Sequence, residues 1–111
     1  MSEMKRLFGL ILASLVSLSV WADALWIDVR TPQEYAQGHV EGALLVPYQE
    51  IGQRIGSIAP DRDAEIHLYC RSGRRAGIAL ETLRAMGYTR VVNEGGLDDV
   101  VKQYGLPVVR E

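Results

Sequence analysis

Read for the spacing of its apolar positions, the chain alternates short β-like runs with helical stretches. Leu25-Trp26-Ile27-Asp28-Val29 is apolar and rich in β-formers, which predicts a buried strand. Thr31-Pro32-Gln33-Glu34 puts Thr at an N-cap, Pro at the first helical position and Glu two residues further on. That capping box opens a short helix, which Gly38 ends. Ala43 to Val46 predicts a second strand, stopped by Pro47. Between Gln49 and Ile58, Ile51, Ile55 and Ile58 fall on one helical face. After the turn Pro60-Asp61-Arg62-Asp63, Glu65 to Tyr69 alternates as a strand with Cys70 at its end. Ala76, Ala79, Leu80, Leu83 and Met86 then mark an amphipathic helix closed by Gly87. Arg90 to Asn93 predicts a further strand, Gly95-Gly96 a tight turn, and Leu97 to Tyr104 a last helix closed by Gly105.

Strands alternating with helices predict a single α/β domain with a mainly parallel central sheet flanked by helices. Ligands of such sheets bind beyond the carboxyl ends of the strands, and Cys70 stands at one of those ends.

The first residues follow a different pattern. Basic Lys5-Arg6 precedes Leu7 to Val20, which carries no charge, and Trp21-Ala22-Asp23-Ala24 follows with small residues. This is the layout of a secretory signal peptide. The apolar run is shorter than the roughly 20 residues a membrane span needs. Val20 and Ala22 suit the two small-residue positions before a cut, and Ala22 with Ala24 offers a second cut. The expectation is a signal peptide over 1–22, cleaved after Ala22, and a domain over 23–111. Its place would be periplasmic or secreted, with no stable membrane association after cleavage. No cysteine near the exit supports a lipid anchor.

The chain has 12 basic and 14 acidic residues, a net charge of −2. Removing Glu3, Lys5 and Arg6 makes it one unit more negative, so bulk charge argues against nucleic acid as a partner. Beyond Ala22 every basic side chain is Arg except Lys102, and Arg71, Arg74 and Arg75 crowd one turn. A mildly acidic domain with one Arg-rich turn points to a local anion site. Cys70 is the sole cysteine, so no internal disulfide is available. In an oxidising compartment a lone thiol is a liability unless it does chemistry.

The chemistry concentrates in Tyr69-Cys70-Arg71-Ser72-Gly73-Arg74-Arg75-Ala76-Gly77. A thiol ends a strand, a polar loop follows, and a helix begins. The first N–H groups of a helix lack internal acceptors and carry partial positive charge. A loop that wraps the sulfur turns those groups into an anion cradle, and Gly73 can supply the positive φ that closes the curl. Backbone N–H groups and guanidinium groups both favour thiolate, making Cys70 a nucleophile without a dedicated base. The bland alternative, an inert core cysteine, fits poorly with the Arg, Ser and Gly residues that follow.

Cys70-Arg71-Ser72-Gly73-Arg74-Arg75 resembles the active-site loop of rhodanese-like sulfurtransferases. Asp28-Val29-Arg30, Glu34-Tyr35 and Gly38-His39-Val40-Glu41-Gly42-Ala43 resemble the N-terminal half of that family. Met86-Gly87-Tyr88, Val91-Val92 and Gly95-Gly96-Leu97 resemble its C-terminal half. The resemblance implies a rhodanese-like fold and a two-step sulfur transfer. Cys70 would attack a small anionic donor such as thiosulfate and become a persulfide, which cyanide or a thiol acceptor would discharge. The backbone from Arg71 through Ser72, Gly73 and Arg74 to Arg75 would hold the persulfide, with the three Arg side chains attracting the donor. No metal or organic cofactor is implied, and the expected state is a monomer.

Other readings are weaker. A persulfide carrier that hands sulfur to a protein partner, with little turnover, shares the same intermediate. A non-catalytic module of this fold typically lacks the Cys. Cys-based phosphatases and arsenate reductases belong to a third class; those phosphatases place Arg six positions after the nucleophile, where this chain has Ala76. One departure from the family is Val100 or Val101 where an aromatic often follows the Gly pair.

Asp28 and Arg30 end the first strand and have two readings: support of the Cys70 loop, or a structural ion pair. His39 reads as structural or exposed, because a preformed thiolate needs no base. His67 reads as covered by a helix or rimming the pocket, and Glu94 as lining its mouth or sitting in a turn. Neither His has a neighbouring ligand in sequence to support a metal site.

Overall fold

The structure, a computed structural model, describes residues 24–111. The signal peptide expected over 1–22 and its expected cut after Ala22 lie outside the described residues.

Four parallel strands make the main sheet, in the order β3-β1-β4-β5. They are β1 (Leu25–Asp28), β3 (Leu44–Leu45), β4 (Ile66–Cys70) and β5 (Val91–Gly96). The helices are α1 (Pro32–Gln37), α2 (Ile51–Ile58), α3 (Arg74–Ala85) and α4 (Leu97–Tyr104). A second, two-stranded antiparallel sheet pairs β2 (His39–Val40) with β6 (Val108–Val109).

Strand alternation sorts the core into two layers. Ile27, Ile66, Leu68 and Cys70 pack with Ile51 and Ile55 of α2 and with Ala76, Ala79 and Leu83 of α3. Tyr69 on the opposite face packs with Val40, Ala43 and Val100 of α4, and Trp26 joins them. Helices therefore cover both faces, which is what a parallel sheet requires of its flanks.

The capping box forms as the sequence indicates: Glu34 N–H donates to Thr31 Oγ1 at 3.2 Å, and Thr31 N–H donates to Glu34 Oε1 at 3.2 Å. Two elements depart from the sequence reading. The small β2/β6 sheet was not expected, since two-residue strands carry no readable period. Gly95-Gly96 does not make a tight turn; β5 runs on through both glycines. A register shift between Leu68 and Cys70 absorbs an extra residue, Gly95 adopts φ +86°, and Gly96 comes opposite Cys70.

Candidate active site

Cys70 closes β4 on the face shared with Leu68 and is 1 % exposed. Its sulfur lies where β4 ends and the loop to α3 begins. Gly73 takes φ +101°, a conformation strained for any residue with a Cβ, and its N–H donates to Cys70 Sγ at 3.0 Å. Burial by itself pushes the Cys70 thiol up. The Gly73 bond and the neighbouring backbone N–H groups of Ala76, Ser72 and Arg75 act the other way and outweigh burial, leaving the thiol below its ordinary value. Orphan donors at a helix N-terminus can favour a thiolate without a general base.

Three Arg side chains surround this loop, and the structure separates them. Arg75 forms a fork on Glu34, with Nη1 donating to Oε1 at 2.8 Å and Nη2 to Oε2 at 3.0 Å. Glu34 is pushed down to about 2, first by this bond and further by the Thr31 backbone and hydroxyl. The guanidinium of Arg75 is thus engaged by a carboxylate. Arg71 and Arg74 are exposed and make no ion pair among the described residues. Ser72 is exposed in the same loop. Ala76, at the position where a phosphatase-type loop needs Arg, is fully buried in the core.

The loop is backed by the end of β5, where the sequence offered only Glu94 as a lining residue; Glu94 instead bonds His67 and Tyr104, and it is Asn93 and Gly96 that meet the loop. A Cβ built on Gly96 would lie 2.1 Å from the Arg71 carbonyl oxygen, so only glycine fits there. Asn93 Nδ2 donates to the Gly73 carbonyl at 2.9 Å. Adjacent glycines do signal close backbone approach, but nothing local in sequence marks Asn93.

Asp28 and Arg30 turn to one another rather than to the loop. Arg30 Nε and Nη2 grip the fully buried Asp28 carboxylate at 2.9, 3.1 and 2.7 Å, and Nη2 also donates to the Gly38 carbonyl at 2.7 Å. The guanidinium lies 5.7 Å from the Tyr69 ring centroid. This arrangement is a buried, fully hydrogen-bonded ion pair that joins β1 to the end of α1.

The histidines lie in other clusters. His39 is buried, stacked on Tyr35 at 3.5 Å, with Nδ1 2.7 Å from the Tyr35 carbonyl. His67 stacks on Trp26 at 4.5 Å, and its Nδ1 meets Glu94 Oε2 at 2.6 Å. Glu94 also accepts from Tyr104 at 2.8 Å. Among the described residues, no group of three or more His, Cys, Asp or Glu is placed to hold a metal ion, and no helix is long and apolar enough to cross a membrane.

Known proteins with this arrangement are readily found. The model of the rhodanese-like domain family matches residues 13–103. The chain is similar to thiosulfate sulfurtransferase PspE of Escherichia coli strain K12, 47% identical over 91 residues, covering 82% of this chain and 88% of that protein. It is also similar to a sulfurtransferase of Allochromatium vinosum, 44% identical over 87 residues, covering 78% and 79% of the two chains. Among solved structures, a rhodanese with anions from E. coli superposes with a TM-score of 0.73 at 43% identity, covering 79% of this chain and 99% of that one. A buried, amide-bonded thiol at the end of a parallel strand, in a chain this similar to these proteins over most of its length, means that the chain belongs to the rhodanese-like domain family and is a sulfurtransferase.

Proposed function

We propose that the protein is a thiosulfate sulfurtransferase that works through a persulfide on Cys70. The observation that carries this reading is the sulfur itself, which ends β4 before the N-terminus of α3 and accepts the Gly73 N–H at 3.0 Å. In the first step the Cys70 thiolate attacks the outer sulfur of thiosulfate. The S–S bond of the donor breaks, and sulfite departs with its electron pair. Cys70 then carries the transferred sulfur as a persulfide anion. In the second step cyanide or a thiolate attacks that outer sulfur, forming thiocyanate or a new persulfide and returning the Cys70 thiolate.

The loop amides are fixed before reaction and face the place where negative charge resides in both the thiolate and the persulfide. Arg71 and Arg74 are the cations free to draw in a doubly charged donor, and Arg75 holds the loop through Glu34. In the same reading, residues 1–22 are a signal peptide and the 23–111 domain acts as a monomer in the periplasm or outside the cell. The uncharged run Leu7 to Val20 behind Lys5-Arg6 supports that placement.

The test uses the full chain and Cys70→Ser. Each is treated with thiosulfate, its intact mass recorded, and cyanide then added. The reading expects one added sulfur on the wild type only, followed by repeated release of thiocyanate. Sulfur uptake without turnover favours a carrier. No uptake by the wild type overturns the assignment.

A further inference from the structure

Gly73 meets the site at both ends of its own backbone. Its N–H donates to Cys70 Sγ at 3.0 Å. Its carbonyl accepts from Gly77 N–H at 2.9 Å, the first bond of α3, and from Asn93 Nδ2 at 2.9 Å. With φ +101° and no side chain, Gly73 sits in a backbone region that it can leave at little cost. Something outside the loop must therefore hold the direction of its peptide groups if the N–H is to stay on the sulfur.

Asn93 is built for that task. Its Oδ1 accepts from Gly95 N–H at 2.9 Å, so the side-chain amide is itself oriented by its own strand and presents Nδ2 toward the loop. Both ends of the amide are used, and they can be satisfied together in one orientation only. A Cβ on Gly73 would also come 3.4 Å from Gly95 Cα, which shows how closely the loop lies on the end of β5.

We propose that Asn93 is a positioning residue of the Cys70 loop: by donating to the Gly73 carbonyl it fixes the orientation of that glycine and keeps the Gly73 N–H on the sulfur. The inference rests on the reading of Cys70 as the nucleophile. It assigns Asn93 no contact with donor or acceptor. Asn93 is exposed, Gly73 keeps its α3 bond without it, and the one group that loses its partner is the N–H of the half-buried Gly95. Loss of Asn93 should therefore alter the thiolate without unfolding the domain.

The experiment follows Cys70 alkylation by iodoacetamide against pH in the full chain, Asn93→Leu and Asn93→Ala, with thermal melting alongside. Leu removes both hydrogen bonds at similar volume and adds no charge. The midpoint of the alkylation profile should rise in both variants, and the rate at neutral pH should fall about two- to tenfold, the worth of one hydrogen bond. Melting should change little. A midpoint equal to that of the wild type, in whichever variant folds, overturns the proposal even if turnover is reduced. Alkylation needs no sulfur donor, so failure of the wild type to take up sulfur would overturn the functional reading and leave this inference standing or falling separately.

Discussion

Glu34 and Arg75, 41 residues apart in the chain, close a two-pronged bond that ties the first turn of α1 to the first turn of α3. Glu34 thereby does two things at once. One carboxylate serves the capping box of its own helix and fixes the loop that carries the thiol. Glu34→Gln should weaken both, with a loss of about 0.5–2 kcal/mol from the cap and fork together. Arg75→Lys keeps the charge but cannot form the fork, and should lower turnover with the same sign.

The acid dependence of that contact has a definite direction. Folding holds the Glu34 carboxyl down to about 2 from an ordinary value of 4.5. A lowered carboxyl stabilises the fold fully above the ordinary value, and the contribution is lost as pH falls from about 4.5 to about 2. Melting curves of wild type and Glu34→Gln should differ most near neutral pH and draw together as pH falls from about 4.5 towards about 2.

Cys70 follows the same sign. Its thiol is lowered in the fold, so the thiolate persists at pH values where an unstructured cysteine has regained its proton. Alkylation of the native chain should have its midpoint below that of the urea-unfolded chain. The rate should fall as pH drops through the native midpoint. Equal midpoints would remove the amide cradle as the source of reactivity.

Arg71 and Arg74 should behave differently from Arg75. On the proposed function each exposed cation would attract the donor through solvent, so Arg71→Ala or Arg74→Ala should raise KM for thiosulfate by about two- to fivefold, an effect that salt reduces. Alkylation by neutral iodoacetamide should be nearly unchanged in both. Steady-state kinetics at two ionic strengths distinguishes attraction of the donor from damage to the loop.

Gly96→Ala tests the wall behind the loop. The new methyl would stand 2.1 Å from the Arg71 carbonyl oxygen, so the loop or β5 must shift. Overpacking of this kind costs about 1–3 kcal/mol, and turnover should fall with it. Gly56→Ala is the matched control, since nothing lies within 4 Å of its Cβ and α2 tolerates alanine there.

Much of this site is legible in residues that are neighbours in sequence. Cys70 and Gly73 are three apart, the helix after them carries Ala76, Ala79 and Leu83 at helical spacing, and Thr31 with Glu34 spells a cap. The contacts that hold the loop are of another kind. Glu34 reaches Arg75, and Asn93 reaches Gly73, only because parallel strands bring distant segments to one edge. No period or local motif encodes those meetings. The resemblance groups Arg75 with Arg71 and Arg74 as a cation for the donor, and nothing in the spacing shows that its partner is already within the fold. β2 and β6 stayed hidden for a simpler reason, since each is two residues long and its partner lies at the other end of the domain.

The 1 % exposure of Cys70 also governs how copies of the protein treat one another. Crosslinking two chains requires their sulfurs to approach to about 2.05 Å with the Cβ atoms about 3.8 Å apart. Two thiols buried to this degree cannot meet at that distance while both domains keep their fold. Burial of the sole cysteine therefore works against pairing with a second folded copy.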